Sequence, residues 1–242
     1  MAEWHISMVS VALDLGARAF AGKTDKTGRE GAFLHSMRVY DAVKKSGGGE
    51  VVCSAALLHD VIEDTPTTVA SLRAAFAAYP EETVEKMIAA VLSVTRGYIY
   101  RDSHTLVFEP PASEFVCDCE FKHKCENPDH LYKKETYRDF IMRSKRNPLG
   151  RAIKIADITD NMSPERVAGL PEDEKGIVEE RYTPALAFLK DNKATEYFTP
   201  RQLARLCRWC SQSFSTHTGL DRRCPSGLLF NDPQRNKFKG VK

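Results

Sequence analysis

The sequence predicts an all-α fold, a compact multi-helix bundle interrupted by one long loop insertion. Long segments repeat apolar residues at intervals of three and four, no segment alternates with the two-residue period of a strand, and clusters of Gly, Pro and Thr punctuate the helical stretches. The chain has 242 residues, with 12 Phe, 8 Tyr and 2 Trp, which is enough for one sizeable core with a small appendage.

The first helix is expected over Trp4 to Ala21, where Ile6, Val9, Val11, Ala12, Leu15, Ala19 and Phe20 recur at helical spacing. A polar, glycine-bounded loop follows from Gly22 to Gly31 and carries Lys23, Lys26 and Arg29. Phe33 to Lys45 returns to helical spacing and stops at Ser46-Gly47-Gly48-Gly49. Glu50 to Ile62 is apolar nearly all round, as a central buried helix should be. Thr65-Pro66-Thr67-Thr68 offers hydroxyl caps for a helix over Val69 to Ala78, and Pro80 opens another from Glu81 to Thr95.

Arg96 to His130 contains paired prolines and a Cys/His cluster but little periodicity, and reads as an excursion of functional length. Helices resume over Leu131 to Ser144, from Asn147-Pro148 to about Met162, and over Glu172 to Lys190; Thr199-Pro200 can start a last one through Trp209. The division expected is residues 1–199 as one domain, with the excursion at 96–130, and residues 200–242 as a basic helix and tail.

No apolar run approaches the roughly 20 residues needed to span a bilayer, and Met1-Ala2-Glu3-Trp4-His5 lacks the basic start of a secretory signal, so a cytoplasmic protein without membrane partners is expected. Seven Cys, an odd number in a long chain, suggest reduced thiols or metal ligands rather than a disulfide framework. The net charge of +2 conceals a tail from Arg201 to Lys242 with nine Lys/Arg and two Asp/Glu. Such a tail is either a solvated terminus, the simpler reading, or a surface for nucleic acid.

Chemistry concentrates at His59-Asp60-Val61-Ile62-Glu63-Asp64, inside or beside the most apolar helix. Burying bare charges is costly unless they are paired or bind metal. On a continuous helix, adjacent His59 and Asp60 would be about 100° apart and could grip one ion, while Glu63 and Asp64 would project over it. His35 near the start of an amphipathic helix, and Asp157 embedded in Ile153-Lys154-Ile155-Ala156-Asp157, complete a mixed nitrogen and oxygen set suited to Mn²⁺, Fe²⁺ or Zn²⁺. A bound cation of this kind acidifies water and neutralises a phosphoryl oxygen, and a nearby carboxylate can take the proton. Lys23, Lys26, Arg29 and Lys154 are candidates to offset a substrate's negative charge.

The order His35…His59-Asp60…Asp157 resembles the H…HD…D signature of the HD superfamily. Ala55-Ala56-Leu57-Leu58-His59-Asp60-Val61-Ile62-Glu63-Asp64-Thr65 is similar to the hydrolase domain of RelA/SpoT proteins and small alarmone hydrolases. Phe33-Leu34-His35-Ser36-Met37-Arg38-Val39 and Ile153 to Asn161 extend the likeness, which covers residues 8 to 190 outside the excursion. It implies an all-helical HD-domain bundle, a Mn²⁺ ion held by His35, His59, Asp60 and Asp157, and hydrolysis of the 3′-pyrophosphate of (p)ppGpp-like nucleotides. It also implies Glu63 and Asp64 as the residues that orient and deprotonate water, Asn161 as a contact to the sugar, and Tyr182 as an aromatic beside the nucleotide. A phosphohydrolase of another nucleotide, or a nucleic-acid-binding module with a vestigial site, are the alternative readings.

Cys117, Cys119 and Cys125 with His130 fall within 14 residues and could hold a structural Zn²⁺, although the C-x-C spacing is not that of a zinc knuckle; free thiols in a loop are the other reading.

Overall fold

A computed structural model describes residues 6–24, 31–117, 129–172 and 174–197. The chain divides into two units, Met1–Lys175 and Gly176–Lys242. The first is helical apart from one small sheet. Its helices are α1 (Met8–Ala19), α2 (Phe33–Lys45), α3 (Glu50–Leu57), α4 (Val61–Asp64), α5 (Val69–Ala75), α6 (Glu81–Val94), α7 (Tyr137–Arg146), α8 (Pro148–Asn161) and α9 (Pro164–Gly169). Among the described residues no helix is long and apolar enough to cross a membrane.

α3 occupies the centre and packs against α1, α2, α6 and α8. Ala55, Ala56, Leu57, Leu58, Val61 and Ile62 are fully buried, as expected of a segment that is apolar all round. The expected single helix over Glu50 to Ile62 is instead broken. α3 ends at Leu57, residues 58–60 form a turn, and α4 begins at Val61. His59 accounts for the break. Its Nδ1 lies 2.9 Å from the Ala56 carbonyl, competing for an acceptor that a continuous helix would give to a backbone N–H. The turn is closed by i to i−3 bonds, Leu58 N–H to Ala55 and Val61 N–H to Leu58.

The flanking helices begin where their caps are. Ser7 accepts from the Ser10 N–H, so α1 starts later than the periodicity suggests. Thr68 and Ser71 form a reciprocal capping box on α5. Asn147 accepts from the N–H groups of Leu149 and Gly150 and Pro148 takes the first helical position, which fixes the start of α8. Gly150 then lets α8 approach α6 closely: a Cβ there would stand 1.7 Å from Ser93 Oγ. Gly47, at φ +84°, ends α2 in the left-handed conformation that a side chain disfavours.

The region expected to be a structureless excursion holds a four-stranded sheet of order β2-β1-β4-β3, built from β1 (Tyr98–Tyr100), β2 (Leu106–Val107), β3 (Val116–Cys117) and β4 (Tyr132–Lys134). β1 is antiparallel to β2 and to β4, with Tyr98 opposite Val107 and Lys134, whereas β3 runs parallel to β4. Strands of two or three residues have too few positions for alternation to register, and β1 is half-buried on both faces. The sheet also takes residues 132–134 from the helix expected at Leu131, so α7 begins only after its cap, Thr136.

A buried ion pair clamps both ends of this insertion to the bundle. Arg143 on α7 grips Glu135 through Nε at 2.9 Å and Nη2 at 2.6 Å, and donates to the carbonyls of Leu92 and Thr95. Glu135 accepts in turn from the Gly97 N–H, and its carbonyl from Arg96 Nε. The clamp therefore ties the two ends of the insertion to each other and to the end of α6.

In the second unit, the long helix expected over Glu172 to Lys190 is reduced to a π-helical turn (Val178–Tyr182) running into α10 (Thr183–Lys190). Pro184 lacks the N–H that would bond to the Glu180 carbonyl, and the chain widens just before it. The helix expected from Thr199, and the whole of 200–242, lie outside the described residues.

Replacing Glu135 with Ala leaves the part-buried Arg143 guanidinium without its carboxylate. The expected loss in urea unfolding is about 3–5 kcal/mol, against about 1–3 kcal/mol for the overpacking variant Gly150→Ala.

Candidate metal centre

Three separate elements bring their polar side chains to one buried point. α2 supplies His35 and Arg38, the turn between α3 and α4 supplies His59 and Asp60, and α8 supplies Lys154, Asp157, Asp160 and Asn161. On α8 the spacing of three and four residues puts Lys154, Asp157 and Asn161 on one face. His35, His59 and Asp157 are all buried, and one ligand atom from each falls within 4.8 Å of the others. These three residues could hold a metal ion. Asp60 joins them, its Oδ2 lying 3.1 Å from His59 Nε2 and 3.8 Å from His35 Nε2.

The orientation of the two imidazoles is fixed from outside the cluster. His59 Nδ1 faces the Ala56 carbonyl, which can only accept, so Nδ1 carries the proton and Nε2 presents its lone pair. That Nε2 is buried and has no hydrogen-bond partner. An orphaned acceptor nitrogen in a packed core is costly, and it points to the carboxylates of Asp60 and Asp157. His35 is placed the same way: Nε2 lies 3.0 Å from Asp157 Oδ1, and Nδ1 lies 2.7 Å from Asp160 Oδ2. Two imidazoles and two carboxylates converging at one buried point are a donor set suited to a divalent transition metal.

Charge balance follows from these contacts. Burial disfavours a charge on His35, but Asp157 and Asp160 overcome it and push the imidazole pKa up to about 9. Burial also works against ionised Asp157 and Asp60; Lys154 and the two histidines hold Asp157 well below the usual carboxylate range, and His59 and His35 do the same for Asp60. Lys154 Nζ sits 2.6 Å from Asp157 Oδ2, and this pairing outweighs burial to keep the ammonium charged. Asn161 donates to Asp157 Oδ1 at 2.5 Å.

Glu63 is half-buried and Asp64 exposed at the end of α4. Both oxygens of Glu63 face the insertion, Oε2 taking the Arg96 N–H at 3.1 Å and Oε1 lying 3.5 Å from Lys134 Nζ. Lys134 was not marked by sequence, because a lysine in a two-sided, half-buried strand has no signature. Asp160, Arg38 and Arg166 were also missed, although Asp160 lies three residues after Asp157 and Arg38 three after His35, which is the spacing of helix neighbours.

Of the other expected contacts, Lys23 is exposed at the base of its loop, where its carbonyl accepts from the Ala32 N–H three residues before His35. Lys26 and Arg29 lie outside the described residues. Tyr182 is half-buried within the second unit. Asn161 donates to Asp157, one of the three residues that could hold a metal ion. Of the expected zinc set, Cys119 and Cys125 are outside the described residues, Cys117 ends β3, and His130 is half-buried two residues before β4.

No family model and no curated protein matches this chain.

Because His35 is an imidazolium below about pH 9 in the metal-free protein, a cation ligated there must displace its proton. Apparent affinity should rise roughly tenfold per pH unit between pH 6.5 and 9. Calorimetric Mn²⁺ titration in buffers of different ionisation enthalpy should report about one proton released per ion.

Proposed function

We propose that the protein is a metal-dependent phosphohydrolase of a phosphorylated nucleotide, with (p)ppGpp-like alarmones and their 3′-pyrophosphate as the best single substrate class. The observation that carries the reading is the buried Nε2 of His59, which has no hydrogen-bond partner, is oriented by the Ala56 carbonyl and lies against the carboxylates of Asp60 and Asp157. The resemblance of the His35…His59-Asp60…Asp157 order to HD-superfamily hydrolases supports the reaction class.

His35, His59, Asp60 and Asp157 would hold the ion, with Mn²⁺ the metal the resemblance favours. When bound, it supplies Lewis-acid activation of water and of the phosphoryl group. Glu63 takes the proton of the attacking water as the new bond to phosphorus forms; the bond to the ribose 3′ oxygen breaks, pyrophosphate leaves, and the 3′ oxygen takes up a proton from solvent to become the hydroxyl. The Glu63 carboxylate is oriented for its part by the Arg96 N–H and by Lys134. Asp64, exposed beside it, orients the water. Lys134 and Lys154 provide fixed positive charge against the phosphates. Lys154 does so from a position locked on Asp157, so that little reorganisation accompanies reaction.

The test is pyrophosphate and phosphate release from a panel of ppGpp, ppApp, NADPH and deoxynucleotides with added Mn²⁺. Release from ppGpp or ppApp is expected in the wild type and absent in Asp60→Ala, with the helical circular dichroism unchanged. Glu63→Gln should lower kcat by roughly 10²–10⁴-fold while retaining metal uptake. Release only from other panel members would replace the alarmone by another nucleotide. No release, together with nucleic-acid affinity that falls on truncation at Thr199, would favour the binding-module reading instead.

A further inference from the structure

Asp160 is half of an arrangement that the ligands alone do not explain. Its side chain is only 12% exposed, and three groups from two other helices approach it. His35 Nδ1 on α2 lies 2.7 Å from Oδ2. Arg38, one turn further along α2, donates from Nε at 2.7 Å to Oδ1 and from Nη2 at 3.1 Å to Oδ2. Arg166 Nε on α9 stands 3.7 Å from Oδ2.

The two histidines of the cluster face the same chemical requirement. Each must present Nε2 as a lone pair, and so each must carry its proton on Nδ1. His59 meets this with a backbone carbonyl. At His35, on a regular helix, a carboxylate takes that place. An ionised carboxylate accepts and cannot donate, so it selects one tautomer. Two guanidinium groups, of Arg38 and Arg166, fix the direction of this carboxylate and offset the cost of burying it.

We propose that Asp160 is a positioning residue for the metal group: it accepts the Nδ1–H hydrogen bond of His35, leaves Nε2 as the ligating nitrogen, and is held in place by Arg38 and Arg166. This rests on the metal reading above. The competing role is a strut that merely ties α2, α8 and α9 together, and the two differ in what they move. A strut moves stability alone, whereas a positioning carboxylate also moves metal affinity in protein that remains folded.

The experiment is titration of the full-length, metal-stripped protein with Mn²⁺, following free ion by electron paramagnetic resonance, in wild type, Asp160→Asn and Asp160→Glu, with thermal unfolding of each measured in chelator. The expected result is roughly a 10–100-fold loss of affinity in Asp160→Asn, with partial recovery in Asp160→Glu. Unchanged affinity in Asp160→Asn, with or without a lowered Tm, would overturn the assignment and leave the strut. Should Asp160→Asn fail to fold, the wild type alone decides: with diamagnetic Zn²⁺ bound, ¹⁵N-resolved imidazole spectra must place the His35 proton on Nδ1, and a proton on Nε2 would overturn the proposal. Absence of any cation uptake by the wild type would overturn the metal reading together with this inference, whereas uptake that is indifferent to Asp160 overturns this inference alone.

Discussion

His35, His59 and Asp157 meet inside the apolar centre of a helical bundle, and the surrounding architecture answers the demands of that contact. A carboxylate and two imidazoles in such a place need charge compensation and a fixed orientation, or they would be excluded from the core. Compensation comes from Lys154 beside Asp157, and from Arg38 and Arg166 behind His35 at Asp160. Orientation comes from the Ala56 carbonyl, obtained by ending α3 one turn early. The break in the most apolar helix is therefore a consequence of the polar residue it must present.

The same constraint couples the insertion to the site. The small sheet is fastened to α6 and α7 by the Glu135–Arg143 pair, whose contacts span both ends of the inserted segment. From that fixed base, Arg96 and Lys134 reach the two oxygens of Glu63. In the proposed chemistry, Glu63 is the proton acceptor. The insertion would then set both the direction of that carboxylate and the positive charge beside it, roles that the helical bundle by itself leaves unfilled.

Much of this was legible in the residues. The helical spacing of apolar side chains, the buried character of residues 50–62, the Gly-Gly-Gly stop after α2 and the Asn147-Pro148 start of α8 are local properties, and local rules recover them. So are the types and order of His35, His59, Asp60 and Asp157. The sheet was not legible: its strands are too short to alternate, and its central pairing joins Tyr98 to Lys134, so neither strand is stable without a distant partner. The helix over residues 172–190 was over-read because the apolar period continues through Pro184, whose missing N–H the period does not register.

By itself, the sequence determined which side chains could bind a metal and that they must lie on or beside buried helices, because residue type, charge and apolar spacing are written in the chain. The tertiary structure decided which nitrogen of each histidine faces inward, that Asp160, Arg38 and Arg166 stand behind His35, and that Lys134 reaches Glu63. Those outcomes depend on what lies across a gap from each group. His35 and Asp160 are 125 residues apart and Glu63 and Lys134 are 71 apart, and no local pattern specifies an acceptor brought to the site by another helix or strand.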